Sequence, residues 1–240
     1  MFHFIDEATS SNDIARDSRY AEGDIVCVER QTAGRGQRGH SWSGCEGLDL
    51  TFSLVLCPTF LHVSGQFDIS RITALATVAT LGRYGIGARI KWTNDIYVGD
   101  RKITGVLIEN RLEGDRLAHM VVGVGLNVNR REFDPSLPNP TSMALETGRE
   151  FDRREVLETF HREVWALYDE LKSHGAADIR RRYDSQLYRL GERHLYALPD
   201  GTRFEASICG TEPSGRLVLE LAEGGRRSFA FRETEFVLKK

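Results

Sequence analysis

The stretch ERQTAGRGQRGHSW, residues 29–42, places glycines and arginines in a loop that ends on a tryptophan. The apolar run IVCV before it, residues 25–28, predicts a short buried strand, so the loop leaves the edge of a sheet, where α/β proteins tend to bind ligands. Closely spaced glycines let a backbone approach a ligand, and Arg35 and Arg38 supply forked donors that match carboxylate and phosphate oxygens. The stretch therefore predicts either an anion-binding lid or a solvated basic turn.

Later segments decide between these interpretations. They read KWTNDIYV at residues 91–98, RKITGVLIE at 101–109 and VVGVGLNVN at 121–129. Together with the loop they resemble the biotin protein ligase family, which has a GRGxxG loop, a KWPND segment with a downstream lysine and glycine, and a GxGxN strand in this order. The resemblance covers residues 10–129 and continues as a weaker pattern to the C-terminus.

The resemblance implies an α+β fold. Its catalytic domain is a mixed β-sheet with flanking helices, of the type shared by class II aminoacyl-tRNA synthetases and biotin ligases. The residues agree: a period-two pattern predicts a strand over 48–56, and an apolar stripe predicts a helix over 67–87. A second long helix is predicted to begin after Asp152, which forms a capping box with Glu155, and to end at Gly175.

A change of pattern near residue 190 predicts a second domain. Short alternating segments follow, separated by glycine turns, and they indicate a small antiparallel β-structure. The family resemblance implies an SH3-like β-barrel here. We therefore expect a biotin- and ATP-binding catalytic domain at residues 1–186 and a C-terminal domain at residues 187–240.

Composition narrows the function classes. The 240 residues carry a formal net charge of −3 and are 40% hydrophobic, which is ordinary for a globular protein and gives no broad basic face for DNA. The four cysteines form no CxxC pair, so neither a zinc site nor a disulfide framework is indicated. No signal peptide and no apolar run of membrane-spanning length is present. We expect a cytoplasmic protein with neither DNA nor a membrane as a partner.

The resemblance implies a biotin site in which the serines and the glutamine bind polar atoms and the glycines form a floor. Its residues are Ser10, Ser11, Gln31, Gly34, Arg35, Lys102, Gly105 and Gly123. Read alone, Ser10 with Asp13 three places on resembles a helix-capping box. Both interpretations place Ser10 at the start of a helix.

The resemblance also implies an ATP site, with magnesium accompanying the nucleotide and Asp95 as its candidate ligand. The residues of this site are Arg35, Arg38, Trp42, Asn94, Asp95 and Asn127. Alternatives remain for several of them. Asp95 caps a turn or faces magnesium, Asn127 is a satisfied polar residue or binds ATP, and Trp42 shields the nucleotide or anchors the end of the loop.

Lys102 opens an apolar run, so its ammonium either reaches solvent or binds an anion. The resemblance implies the second role. Lys102 and Arg35 would stabilise charge while biotin reacts with ATP to form biotinyl-5′-AMP, before transfer to a lysine of a biotin carboxyl carrier protein. Both residues are therefore predicted to be catalytic.

Other functions stay open at this stage. A lipoate or octanoate ligase or transferase shares the fold but differs in its glycine loop, and a non-catalytic binding module would not need Lys102, Arg35 and Asp95 together. Met1 stands close before Ser10, so we expect no N-terminal DNA-binding module. The protein is expected to be a monomer or a homodimer. The chain departs from the family pattern at Ser11, Gln37, Asp49 and Thr93.

Overall fold

The computed structural model describes residues 1–237, apart from the side chain of Arg38. The strands of the first sheet are β1 (Phe2–Ala8), β2 (Ile25–Gln31), β3 (Leu50–Leu56), β4 (Arg89–Lys91), β5 (Asp95–Val98), β6 (Arg101–Glu113) and β7 (Arg116–Leu126). Within the described residues these seven strands lie in the order β1-β2-β3-β7-β6-β5-β4. β1 runs parallel to β2, and the other neighbours are antiparallel. The mixed sheet is confirmed.

Helices cover both faces of this sheet. They are α1 (Ser11–Ala15), α2 (Gln66–Arg83), α3 (Met143–Thr147), α4 (Arg153–His174) and α5 (Ala177–Ser185). Because side chains alternate along a strand, Ile25 and Cys27 of β2 join the large core that includes α2 and α4. Val26 and Val28 face the other way and join a smaller cluster with Ala15 of α1. This second cluster fixes α1 against the sheet.

The ends of α4 follow the sequence signals. The Asp152 carboxylate accepts the backbone N–H groups of Arg154 and Glu155 at 2.8 and 3.2 Å, and Gly175 ends the helix at a φ of +78°. The predicted start and end of this helix are confirmed.

α2 is more deeply buried than a single apolar stripe predicts. It packs against α4 and α5 as well as the sheet, so its polar side chains are enclosed. Thr73, Thr77 and Thr80 each donate a hydroxyl to the carbonyl four residues earlier, at 2.7–2.8 Å. The predicted helix is confirmed, but it ends at Arg83, before the predicted limit at residue 87.

The C-terminal part forms a separate sheet. Its strands are β8 (Arg193–Ala197), β9 (Arg203–Thr211), β10 (Leu217–Leu221), β11 (Arg226–Phe229) and β12 (Glu235–Phe236). In the described residues these five strands are antiparallel, in the order β11-β10-β9-β8-β12. A small C-terminal β-domain is confirmed, although β8 and β12, like β1, were not predicted.

Across residues 1–237, the structure has no helix of the length and apolar character that crossing a membrane requires.

Candidate active site

A cavity of about 330 Å³ lies between four parts of the chain. They are the glycine loop at residues 29–42, the segment at residues 91–95, the glycine-bearing parts of β6 and β7, and the segment at residues 231–236. Small-molecule sites commonly have volumes of about 300 to 1,000 Å³. The predicted site residues that line this cavity are Ser10, Ser11, Gln31, Arg35, Trp42, Asn94, Asp95, Lys102, Gly105 and Gly123. Residues that are distant in the sequence therefore converge on one space.

The glycine loop folds back on itself as a small hairpin. The Trp42 N–H donates to the Gly34 carbonyl at 2.9 Å, and the Gly36 N–H donates to the His40 carbonyl at 2.7 Å. A Cβ atom on Gly34 would lie only 2.3 Å from the Trp42 carbonyl oxygen. Gly34 is thus required for the close approach of the two arms of the loop.

Polar groups at the start of α1 form one wall of the cavity. Ser10 is the N-cap, and its hydroxyl accepts the Asn12 N–H at 3.2 Å, which confirms the predicted helix start. The Ser11 N–H donates to Gln31 Oε1 at 2.7 Å. The Ser53 hydroxyl lies 2.8 Å from the Ser11 hydroxyl and joins the same network. These contacts hold the serines and Gln31 in fixed positions beside the cavity.

Asn12 occupies the space above Gly123, where sequence reasoning predicted a floor for biotin. A Cβ atom on Gly123 would lie 2.3 Å from Asn12 Oδ1. The Asn12 amide donates to Glu109 Oε2 at 2.9 Å and lies 2.6 Å from the Ser53 hydroxyl. Gly123 therefore admits Asn12 to the cavity wall. Asn12 lies directly after the serines but was not identified from the sequence.

Lys102 and Asp95, which also line the cavity, form an ion pair. Lys102 Nζ lies 2.8 Å from Asp95 Oδ1, and the two side chains are 32% and 20% exposed. β5 and β6 pair so that Asp95 stands opposite Gly105, which leaves room beside the carboxylate for the lysine. The ammonium is thus partly buried beside a carboxylate at the cavity wall.

Asn94 joins these strands through its side chain. Its amide group donates to the Val106 carbonyl, and its Oδ1 accepts the Thr93 hydroxyl at 2.9 Å. The Trp92–Thr93 peptide bond before it is cis. The Asn94 amide therefore fixes the backbone on which Asp95 is carried.

Trp42 lies over the glycines of β6 and β7. An added Cβ atom would lie 2.1 Å from the indole at Gly125 and 3.0 Å from it at Gly105. Lys102 Nζ lies 5.6 Å from the centre of an indole ring, within cation–π range. The indole N–H is buried without a hydrogen-bond partner among the described residues. The glycines are thus needed where this flat ring covers the strands.

Arg35 lines the cavity, but its guanidinium is bound elsewhere. It lies 2.7 Å from Asp13 Oδ1 of α1 and 3.5 Å from Glu109 Oε2 of β6, and its side chain is 41% exposed. In this conformation the Arg35 guanidinium is bound to these carboxylates, whereas the Lys102 ammonium is bound to Asp95. The ion pairs with Asp13 and Glu109 hold the loop against the sheet.

Two predicted site residues, Gly34 and Asn127, do not line the cavity, and a third, Arg38, has a side chain that the structure does not describe. Gly34 supports the base of the loop and is not among the lining residues. Asn127 is 5% exposed, and its amide donates to the Thr141 carbonyl at 2.8 Å, so that donor is already used. The side chain of Arg38 lies outside the described part of the chain.

The second domain supplies a wall that sequence reasoning missed. Phe231, Thr234 and Phe236 line the cavity together with Lys91. Lys91 Nζ lies 5.0 Å from the centre of the Phe236 ring. No local signal identifies these residues, because the C-terminal strands reach the cavity only through the packing of one domain on the other.

Asp49 joins the segment that follows the glycine loop to the residues that follow β7. Its carboxylate accepts the Cys45 N–H at 2.9 Å and the Val128 N–H at 3.1 Å. Burial raises the pKa of Asp49, although these donors and nearby Arg130 and Arg153 oppose the shift. An asparagine amide would have only one accepting oxygen, whereas each carboxylate oxygen of Asp49 accepts one of these two backbone N–H groups.

Protein ligands for a metal are few here. Among residues 1–237, no group of three or more histidine, cysteine, aspartate or glutamate side chains is arranged to hold an ion. Asp95 and Glu235 are the carboxylate-bearing residues among those that line the cavity.

Comparison with known proteins gives a consistent family. Residues 2–127 match the model of the biotin/lipoate A/B protein ligase family. The chain is 31% identical over 213 residues to the bifunctional ligase/repressor BirA of Bacillus spizizenii, with 87% of this chain and 65% of that protein covered. It is 29% identical to the biotin–[acetyl-CoA-carboxylase] ligase of Paracoccus denitrificans, with 82% and 88% covered. The chain thus spans about two thirds of the Bacillus protein.

Comparison with solved structures also finds a biotin protein ligase. The biotin protein ligase from Aquifex aeolicus, in complex with biotin and ATP, superposes with a TM-score of 0.84 at 24% identity and covers 99% of both chains. The family match spans more than half of the sequence and contains most of the residues that form the cavity. The chain is therefore a member of the biotin/lipoate A/B protein ligase family.

Proposed function

We propose that this chain is an ATP-dependent biotin–protein ligase, which forms biotinyl-5′-AMP and transfers biotin to a lysine of a biotin carboxyl carrier protein. One observation carries the proposal: a polar wall at Ser10, Ser11 and Gln31 faces the same cavity as the partly buried Lys102–Asp95 pair. The relatives named above include a bifunctional ligase/repressor and a biotin–[acetyl-CoA-carboxylase] ligase, and the Aquifex biotin protein ligase is in complex with biotin and ATP.

Biotin occupies the end of the cavity beside α1. Its ring system has hydrogen-bonding oxygen and nitrogen atoms, which match the hydroxyls of Ser10 and Ser11 and the amide of Gln31. Asn12 adds an amide where Gly123 leaves space. Gly105 lies beside Lys102 and has no side chain. The biotin carboxylate therefore reaches the Lys102 ammonium by passing over β6 at Gly105.

ATP occupies the end near residues 91–95. Trp42 offers an aromatic face and an unpaired indole N–H, and Asn94 and Asp95 lie beside the phosphates. Arg35 and Arg38 bind phosphate oxygens from the loop, which for Arg35 means exchanging Asp13 for the nucleotide. Asn127 acts behind the site, where its amide bond to Thr141 holds the end of β7.

In the first step a biotin carboxylate oxygen attacks the α-phosphorus of ATP and pyrophosphate leaves. Negative charge builds up between the two reactants, and a fixed ammonium at Lys102 stabilises it without reorganisation. Asp95 holds this ammonium in place, as their 2.8 Å contact indicates. Neither residue forms a covalent intermediate.

Magnesium fits this site as a companion of the nucleotide. Mg²⁺ usually keeps several waters and binds one or two carboxylates together with substrate phosphates, which matches Asp95 without a protein cage. The ion supplies neutralisation of phosphate charge when it is bound.

In the second step the amine of the carrier lysine attacks the carbonyl of the mixed anhydride, and AMP leaves. The glycine loop covers the adenylate and keeps water from it between the two steps. We also propose a cytoplasmic location, because Cys27, Cys45, Cys57 and Cys209 are all free thiols.

Pyrophosphate exchange tests the proposal. Purified protein with magnesium and ATP should exchange labelled pyrophosphate into ATP only when biotin is added. Exchange that lipoate or octanoate supports better than biotin would assign the chain to the lipoate branch of its family. Absence of exchange with any of these acids would leave a binding protein without ligase activity.

A further inference from the structure

Arg71 of α2 is a fully buried guanidinium far from the cavity in sequence. It is 0% exposed and lies 2.7 Å from Asp68 Oδ1, while Asp68 also receives two bonds from Arg180 at 3.0 and 2.7 Å. Arg180 therefore binds both oxygens of the Asp68 carboxylate, and Arg71 adds a bond to one of them. Because a guanidinium has several N–H donors, Arg71 can bind further partners.

The two terminal nitrogens of the Arg71 guanidinium also bind the end of β9 and the turn that follows it. They reach the Glu212 carbonyl at 2.6 Å, the Pro213 carbonyl at 3.1 Å and the Thr211 hydroxyl at 3.0 Å. These acceptors belong to the second domain, whereas Arg71 belongs to the first. The guanidinium thus joins the two domains with a fixed geometry that a single ammonium cannot reproduce.

This turn continues directly to the cavity wall. The Gly215 carbonyl accepts the Trp92 indole N–H at 2.9 Å, and Trp92 lines the cavity. Gly215 has a φ of +90°, and an added Cβ atom there would lie 2.3 Å from the Phe67 ring. The turn therefore has little freedom to shift while Trp92 stays bound.

A second route runs through Tyr183. Arg71 stacks 5.6 Å from the centre of the Tyr183 ring, and the Tyr183 hydroxyl donates to the Thr93 carbonyl at 3.3 Å. Both routes from Arg71 thus end at Trp92–Thr93, the peptide before Asn94 and Asp95.

We propose that Arg71 is a positioning residue that docks the C-terminal domain so that residues 92–95 are held at the cavity. This proposal depends on the proposed function in one respect, which is that ATP is the ligand bound beside residues 92–95. Residues 92–95 and 231–236 surround the end of the cavity assigned to ATP, whereas Ser10, Ser11 and Gln31 belong to the sheet and α1. Arg71 should therefore affect the nucleotide and leave biotin binding unchanged.

The test compares Arg71→Lys and Arg71→Met with Arg83→Met as a control. Arg83 lies on the same helix, but its side chain is 69% exposed and pairs with Glu163 at 3.0 Å. In pyrophosphate exchange, both Arg71 variants should raise KM for ATP about tenfold or more while KM for biotin changes by less than about twofold, since small misplacements of a site are costly. The control should match the parent.

Hydrogen exchange on the ligand-free protein gives a second readout. Amides at 92–95 should exchange faster in Arg71→Lys than in Arg83→Met, and Tyr183→Phe should produce the same change more weakly. Tyr183→Phe also serves if Arg71→Met does not fold. These measurements need no turnover, so they decide the role of Arg71 even if the parent lacks biotin-dependent exchange activity.

Two results would overturn the inference. One is an Arg71→Lys protein whose amides at 92–95 exchange as slowly as those of the control and whose KM for ATP is unchanged. The other is an equal rise in KM for ATP and biotin, which would indicate general loosening of the fold.

Discussion

Replacing Lys102 by alanine distinguishes between two roles of this residue. The ammonium either only stabilises the fold through an ion pair or stabilises charge during catalysis. The Lys102–Asp95 pair is 2.8 Å long, with side chains 32% and 20% exposed. Partly exposed pairs contribute about 1 kcal/mol or less, so the free energy of unfolding should change by no more than that. Losing one preorganised charge at the reacting oxygens should raise the activation barrier by about 3 kcal/mol, which corresponds to a rate loss of about a hundredfold.

The assay is single-turnover formation of biotinyl-5′-AMP, with folding checked by circular dichroism. Arg101→Ala is the matched control, because it removes the same charge from the adjacent residue of β6, where the guanidinium pairs with Glu146 at 3.0 Å. Lys102→Arg should restore little activity, since a planar fork does not fit the place of a compact ammonium.

The affected step gives a further criterion. When biotinyl-5′-AMP is supplied already made, Lys102→Ala should biotinylate the carrier better than it does from biotin and ATP. A folded Lys102→Ala protein that forms the adenylate within a few-fold of the parent rate would refute the catalytic role of this residue.

Other substitutions test the packing. Gly125→Ala should slow adenylate formation about tenfold or more, because its Cβ would lie 2.1 Å from the Trp42 indole, while Gly87→Ala, with no atom within 4 Å, should match the parent in the same assay. In thiol labelling, exposed Cys209 should react at once and Cys27, 2% exposed, only on unfolding; equal rates would contradict its burial. Burial also raises the pKa of Cys27 from 9.0 to about 12. The folded thiol holds its proton more tightly than the unfolded one, so its stabilising contribution is full below pH 9 and lost as pH rises toward 12. Urea unfolding at increasing alkaline pH should show a steeper decline for the parent than for Cys27→Ala.

Elements with strong local signals were predictable. The helix after Asp152 has a capping side chain and a terminal glycine, and both operate as the sequence indicates. β2 was predicted from an apolar run and β3 from a period-two pattern, although β3 is buried on both faces and not on one. By contrast, β1 and β12 depend on pairing with distant partners, so their short sequences carry little information of their own.

The site divides in a similar way. Motif residues such as Ser10, Trp42 and Lys102 do converge on the cavity, from a strand–helix junction, the loop between β2 and β3, and the start of β6 respectively. The wall at 231–236 could not be predicted, since it depends on how the second domain packs. Arg71 was hidden for a related reason: an arginine inside a helix reads as a solvated residue until its partners in the other domain are known.

Two local features could not be recognised from the sequence. A run of three arginines at 180–182 is typical of a solvated surface, but Arg180 is bound to Asp68, which is 2% exposed. Asp49 had no predicted role, and the structure gives it two backbone donors, Cys45 and Val128, from segments far apart in the sequence. Both features depend on tertiary contacts that leave no periodic pattern in the sequence.

Biotin activation is measured most directly by mixing the protein with biotin and ATP labelled at the α-phosphate, without a carrier. The label should appear in biotinyl-5′-AMP that stays with the protein, and adding a biotin carboxyl carrier domain should release labelled AMP as one lysine becomes biotinylated. If no adenylate forms with biotin, or if lipoate or octanoate gives an adenylate faster than biotin does, the proposed function is contradicted.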